Sequence, residues 1–162
     1  MRTLIIICAI QFSLLFQGLA QSNYQQFYNQ YGDAEGVVTL SIPTMLVKLM
    51  LDEEERAEAG PLFDKVDKIS FLAADDTSQE VLNKFKKSMP SASYKDLMEM
   101  KDGGSTVLFK VKEVGDGIEE LLMTGEDDGS FFVLCLIGSF TWEDASELAR
   151  SIQNKDIKGL AN

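Results

Sequence analysis

The sequence contains no histidine, and this absence restricts the chemistry open to it. Histidine is the side chain most often used as a general base and the commonest metal ligand. The chain has two cysteines, and one of them, Cys8, lies in an N-terminal segment that we expect to be removed. The other, Cys135, lies between two leucines, whereas a catalytic thiol needs a cationic neighbour to form a thiolate. We therefore predict that Cys135 is a buried core residue.

Basic residues are also scarce. The chain has 15 lysines and arginines against 26 acidic residues, a net charge of -11. Removal of the N-terminal segment takes away Arg2 and no acid, which gives -12 for the mature chain. Nucleic acids and anionic lipids are bound by basic side chains that displace counterions, so we predict neither as a partner. With a single mature cysteine no internal disulfide can form, and the domain must depend on its core.

Long apolar runs are absent except at the N-terminus, where residues 1–20 have the pattern of a secretory signal peptide. Arg2 is followed by the apolar run from Leu4 to Phe16 and by small residues that end at Ala20. The alternative is a membrane anchor, but the run of 13 residues is shorter than the roughly 20 that a spanning helix needs. We predict cleavage after Ala20 and one mature domain, residues 21–162. It would be periplasmic or secreted, with no stable membrane anchor.

The pattern that organises the remaining chain lies near the C-terminus. Every residue from Phe131 to Ile137 is apolar, which is typical of a strand at the centre of a sheet or covered on both faces. Thr141 and Asp144 then have the spacing of a capping box, the signal for the start of a helix. Apolar residues follow at helical spacing, so we predict that this helix folds back onto the sheet.

The first half of the chain alternates between strands and helices. Strands are predicted at Gly36 to Ile42 and Ile69 to Ala74, and Thr77 with Glu80 forms a second capping box. In the first strand the apolar side chains are expected to point inward. These strand residues are Val38, Leu40 and Ile42. The helix that follows has an apolar stripe formed by Met45, Leu46, Leu49 and Met50.

The second half of the chain changes to strands separated by glycine- and aspartate-rich turns. These strands are predicted at about Tyr94 to Met100, Thr106 to Val114, Ile118 to Gly125 and Phe131 to Phe140. We predict the α+β class with a mixed sheet. Two strand-helix units, whose crossovers allow a parallel pair, precede a four-strand antiparallel meander and a C-terminal helix. The helices are expected to lie mostly on one face.

An aromatic stripe precedes the first strand. Its members, Tyr24, Phe27, Tyr28 and Tyr31, recur at helical spacing on an otherwise uncharged helix. Such a stripe can pack on the end of the core, or it can form an interaction surface for a partner, since tyrosine is enriched at interfaces. Packing is favoured because so short a helix rarely forms without it.

Several of these segments resemble one protein family. They are the helix start Pro43–Leu46, the run Tyr94–Met98, and the strand Val133–Phe140 with its capped helix. In this order they resemble the domain-of-unknown-function 4252 family of small exported bacterial proteins, from Tyr24 to Leu160. Some relatives look like lipoproteins, but this chain lacks the cysteine to which the lipid would be attached. The resemblance implies a fold and a compartment and supplies no site residues.

Three functions remain open from the sequence. The first is a non-catalytic exported module that binds a protein or an envelope component. The second is a carrier of a small apolar ligand, with a pocket that could be lined by Met45, Met50, Met98 and Met100. The third is a hydrolase with paired carboxylates. We predict no catalytic, cofactor-binding or metal-binding residues and no cofactor. A pocket with converging carboxylates would favour the enzyme, and an exposed apolar patch would favour the binding module.

Overall fold

A computed structural model describes residues 22–75, 79–89, 93–127 and 129–154. The predicted leader and Thr77 of the second capping box lie outside these residues. The elements in chain order are α1 (Asn23–Tyr31), β1 (Val37–Pro43), α2 (Thr44–Met50), α3 (Glu53–Asp64), β2 (Val66–Ala74), α4 (Gln79–Ser88), β3 (Lys95–Asp102), β4 (Ser105–Val114), β5 (Gly117–Asp127), β6 (Ser130–Phe140) and α5 (Trp142–Asn154).

The strands form one sheet in the order β1-β2-β6-β5-β4-β3, and each neighbouring pair is antiparallel. This arrangement confirms the α+β class and the meander from β3 to β6, and it places the apolar strand β6 at the centre. The prediction of a mixed sheet is wrong. Helices α2 and α3 leave and return at the same end of the sheet, where Pro43 is paired with Lys68, so β2 runs back along β1.

Helices cover both faces of the sheet, so the prediction that they lie mostly on one face is also wrong. On the first face, α1 and α4 pack over Cys135, Leu122 and their neighbours. On the second face, Leu62 of α3 joins Ala145 and Leu148 of α5. The reason lies in β6, where successive apolar residues alternate between the faces, so that each face needs a layer to exclude water.

The start of α5 is fixed by the predicted capping box. The backbone N–H of Thr141 donates to Asp144 Oδ2 at 2.7 Å, and the N–H of Asp144 donates to Thr141 Oγ1 at 3.2 Å. Lys65, between α3 and β2, binds the same carboxylate with its Nζ at 2.7 Å. The capping box is thus confirmed, and it attaches α5 to the chain that enters β2. Within the described part of the chain no helix is long and apolar enough to cross a membrane.

Candidate functional site

The aromatic stripe of α1 lies against the first face of the sheet. Tyr24 and Phe27 are 0% and 2% exposed, and Tyr28 and Tyr31 are partly buried against the same cluster. The ring of Phe27 meets that of Phe85 edge to face, with centroids 5.2 Å apart. This is the arrangement that the packing alternative predicts. Only Tyr28 and Tyr31 retain surface that a partner could reach.

A buried polar network connects α1 to the sheet. Glu120 is 2% exposed, and its carboxylate accepts hydrogen bonds from Tyr94 Oη at 2.7 Å and Lys112 Nζ at 3.2 Å. The Tyr94 hydroxyl in turn accepts from the backbone N–H of Tyr24. Burial raises the pKa of Tyr94 above its ordinary value, and the charge of Glu120 raises it further. Because each member is hydrogen-bonded inside the core, we interpret the network as an anchor for α1 and not as a reactive site.

The thiol of Cys135 is fully buried in β6, which confirms the prediction that it belongs to the core. Burial raises its pKa well above the usual value, and the negative charge of Glu120 acts in the same direction. Lys68 and Lys112 lower the pKa, but their effects are smaller. A thiol in this environment stays protonated at neutral pH and does not act as a nucleophile.

The second face of the sheet is covered by α3 and α5 at one end only. At the other end this face forms a cavity of about 920 Å³, which we call the open groove. The apolar residues of its floor and walls come from six strands: Val38, Phe71, Ala73, Met100, Val107, Met123, Phe132 and Leu134. A cavity of this size lies within the range of small-molecule sites.

The floor of the open groove depends on a close approach at Gly125 of β5. A Cβ added to Gly125 would overlap the ring of Phe132, its partner on β6. The Phe132 ring is stacked with that of Phe71 on β2, with centroids 6.3 Å apart. Glycine therefore lets an aromatic ring lie flat on the sheet. The predicted strand ends at Gly125, whereas β5 continues to Asp127. A glycine inside an apolar strand is the sequence signal for this close approach.

The charged groups at the rim of the groove are acidic. They are Asp75, Glu126 and Asp127, and the neutral polar residues Ser105, Thr106 and Ser130 also line the groove. Glu126 forms an ion pair with Lys86 at 2.7 Å, and Asp127 accepts a hydrogen bond from Ser105 at 2.9 Å. Across the described ranges no three acidic or thiol side chains are arranged to hold a metal ion. The groove thus combines an apolar floor with a negatively charged rim.

Exposed apolar side chains are concentrated on two consecutive elements. Six of the eight large exposed hydrophobic residues in the described chain belong to β1 and α2, with exposures from 51% to 83%. We call them the β1–α2 surface: Val38, Leu40, Met45, Leu46, Leu49 and Met50. The prediction that the apolar residues of the first strand all point inward is therefore wrong for Val38 and Leu40. Both lie at the edge of the sheet, and no strand among the described residues covers them.

The four methionines suggested for a pocket do not come together. Met100 lines the open groove, and Met98 is half-buried outside its lining. Met45 and Met50 are exposed on α2 and belong to the β1–α2 surface. Met123, which is not among the four predicted methionines, does contribute to the groove.

A comparison with protein families gives one match, a family described as a domain of unknown function (DUF4252), over residues 28–148. The chain belongs to this family. The match confirms the resemblance seen in the sequence, and it extends from α1 into α5, so both the open groove and the β1–α2 surface lie within it. Comparisons with curated proteins and with solved structures gave no significant match.

Proposed function

We propose that this DUF4252 protein is an exported, non-catalytic module that binds a protein partner on the β1–α2 surface. The observation that carries the proposal is the concentration of exposed apolar side chains between Val38 and Met50. Single exposed hydrophobic residues are ordinary on a monomer, but a group of six on adjoining elements is typical of an interaction site. Burial of these side chains against a partner would supply the main favourable free energy of binding.

The charge around this surface favours a protein over a membrane as the partner. Residues 33–64 carry eight acidic and two basic side chains, so this segment contributes -6 to the net charge of -11. An anionic bilayer would repel it. In addition, α2 has only seven residues, which is short for an amphipathic helix that lies in a membrane interface.

The other features of the chain support binding without catalysis. The chain has no histidine, its mature thiol stays protonated, and the floor of the open groove is apolar. The carboxylate with the deepest burial, Glu120, is held by Tyr94 and Lys112 and does not line the groove.

Site-specific photo-crosslinking in the native cells tests the proposal. A photoreactive amino acid would replace Leu49 on α2, which is 70% exposed, and in a control protein it would replace Val114 at the end of β4, which is 55% exposed. We expect a discrete protein adduct from position 49 and none from position 114. Adducts of the same kind at both positions, or none at either, would contradict the proposal.

The open groove supports a second candidate, a carrier of a small apolar ligand. An apolar dye such as N-phenyl-1-naphthylamine should bind in the groove and increase in fluorescence, because contact with the apolar floor would remove part of the dye from water. Phe132→Lys should remove this binding, and Leu49→Lys, on the β1–α2 surface, should leave it unchanged. Equal loss in both variants, or no binding by the native protein, would rule the carrier out.

Export has a direct measurement of its own. We expect the intact mass of the protein from its native cells to correspond to a chain that begins at Gln21, as cleavage after Ala20 would produce. A retained leader or a lipid-modified mass would contradict this part of the proposal.

A further inference from the structure

The two edges of the sheet differ in a way that bears on how a partner would bind. At one edge, β3 carries charged side chains at Lys95, Asp96, Glu99, Lys101 and Asp102. At the other edge, β1 has the sequence VVTLSIP and no charge. Charged side chains are a common protection of an edge strand against pairing with other chains. The edge at β1 has no charged side chain, and its one protective residue is Pro43, at the end of the strand.

The side chains of β1 are arranged to continue the sheet. Val38 and Leu40 are on the face of the open groove, and each is more than half exposed. Ser41, on the opposite face, is exposed as well. A strand added beside β1 would satisfy the backbone groups at this edge and cover Val38 and Leu40 with its own alternate side chains.

Acidic residues precede and follow the β1–α2 surface in the sequence. Asp33 and Glu35 precede β1, and Asp52, Glu53 and Glu54 follow α2; all five are exposed. Between Gly36 and Leu51 the only charged residue is Lys48, whose Nζ forms an ion pair with Asp64 at 3.0 Å. Along the chain, the surface is therefore apolar at its centre and negative at both ends.

We propose that β1 receives an extended segment of the partner protein as a seventh strand, with alternate apolar residues at its centre and lysine or arginine at its flanks. This rests on the proposed function and names the chemistry of the partner. A second copy of the chain does not meet the requirement. Its β1 is preceded by Asp33 and Glu35, and no lysine or arginine occurs between Gln21 and Lys48 of α2, so a second copy would not present basic flanks to this edge.

Two synthetic peptides serve as probes: Lys-Lys-Thr-Val-Thr-Val-Thr-Lys-Lys, and a control with glutamate in place of lysine. Fluorescence anisotropy should show binding of the lysine peptide below about 1 mM, and at least about tenfold tighter than that of the control. The preference should decrease as salt is added, because salt screens exposed charges. In spectra of isotope-labelled protein, the largest shifts should fall on the backbone amides of Val37–Ile42.

Two protein variants locate the binding site. Leu40→Lys places a positive charge, the sign that the partner carries, on the edge. It should lower the affinity for the lysine peptide at least about tenfold. Val114→Lys changes an equally exposed residue away from β1 and should bind as the native protein does. Thermal melts of both variants establish that they are folded. The comparison of the two peptides on the native protein does not depend on either variant.

Four results would overturn the proposal: no binding of either peptide up to about 1 mM, equal affinity for both, shifts confined to the open groove, or a dimer at physiological salt. If the lysine peptide binds only to a variant that ends at Asn154, the occupant of the β1 edge is the chain's own C-terminal segment. That result would also overturn the proposal. A crosslink at position 49 without peptide binding would mean that a partner binds but not as a strand. Absence of the crosslink would count against the proposed function itself.

Discussion

At the scale of single residues, two glycines of the sheet are each in close contact with a neighbouring group. One neighbour is a fixed backbone carbonyl, and the other is a side-chain ring that can move. A Cβ at Gly138 in β6 would overlap the backbone carbonyl of Lys65, and one at Gly125 would overlap the Phe132 ring. The Lys65 carbonyl also accepts a hydrogen bond from the N–H of Ser139 at 3.1 Å, so its position is fixed. The Phe132 ring borders the open groove and has room to rotate away.

We therefore expect Gly138→Ala to be the more harmful substitution. It should lower the free energy of unfolding by about 3 kcal/mol, and Gly125→Ala should lower it by about 1 kcal/mol. Urea denaturation of the two variants gives the comparison. Gly125→Ala should also change dye binding in the groove, because the ring of Phe132 must leave its place over β5. Equal costs would mean that the two contacts relax equally well.

The burial of single residues could be predicted where their neighbours along the chain determine it. Cys135 lies inside an apolar run, and its place in the core followed from that run alone. Glu120 is hydrogen-bonded by Lys112, its partner across the β4–β5 hairpin, and by Tyr94, which lies 26 residues away. The contact with Tyr94 is not contained in a local pattern. Gly125 is a similar case, since its role depends on a ring from the neighbouring strand.

At the scale of elements, α1 provides a test of its packing. Phe27 is buried against Phe85, so Phe27→Ala removes apolar contacts and should lower the free energy of unfolding by about 3 kcal/mol. The melting temperature should decrease by several degrees, by roughly 10 °C at most. Gln30→Ala, at an exposed position of the same helix, should change the melting temperature little. A melt that Phe27→Ala leaves unchanged would mean that α1 contributes nothing to stability and would make it a candidate arm for a partner.

The start of α5 should make stability depend on pH. The hydrogen bond from Lys65 and the backbone N–H of Thr141 lower the pKa of Asp144 from 3.8 to about 2. A carboxyl whose pKa is lower in the folded than in the unfolded state stabilises the fold above the unfolded value. This contribution is lost as the pH falls from about 4 to about 2. At neutral pH, Asp144→Asn should therefore lower the free energy of unfolding by about 1 kcal/mol.

Urea denaturation of native protein and variant across this range measures the effect. The difference between them should be constant above about pH 5 and should be mostly lost by about pH 2, where Asp144 is protonated in the unfolded state and half protonated in the folded state. Glu143→Gln, in the same helical turn, is the control and should show only a small difference. A difference for Asp144→Asn that persists at the lowest pH would indicate a role for the side chain other than its charge.

Element positions could be predicted better than the surfaces that the elements expose. The pattern of β6 and α5 gave a central strand followed by a capped helix, and both are present. For β1 and α2 the apolar pattern was recognised, but its orientation was not. An apolar side chain has a lower free energy when it is buried. The sequence does not reveal whether it is buried within its own chain or against a partner.

At the scale of the whole molecule, the direction of the strands was the part of the fold that the sequence did not determine. The connection from β1 to β2 is helical and long enough for a parallel crossover, and that possibility led to the mixed sheet. The connection is divided after α2 at Leu51, and α3 is broken again at Gly60, whose φ of 71° is not helical. These breaks allow the chain to return to the end of the sheet that it left. The length of a connection is visible in a sequence, but the number of times it reverses is not.

The asymmetry of charge over the whole molecule leads to a last prediction. The edge at β1 is uncharged and apolar, and Asp33 and Glu35 precede it in each copy, so we expect charge repulsion to oppose pairing between two copies. At physiological ionic strength we expect a monomer. At about 1 M salt, where the screening length decreases to about 3 Å, copies should begin to pair through β1.

Sedimentation equilibrium at both salt concentrations measures this, with Leu40→Lys expected to prevent the pairing and Val114→Lys expected to permit it. If association at high salt is the same in all three proteins, it does not use this edge. In that case the charge of the flanks does not control access to β1.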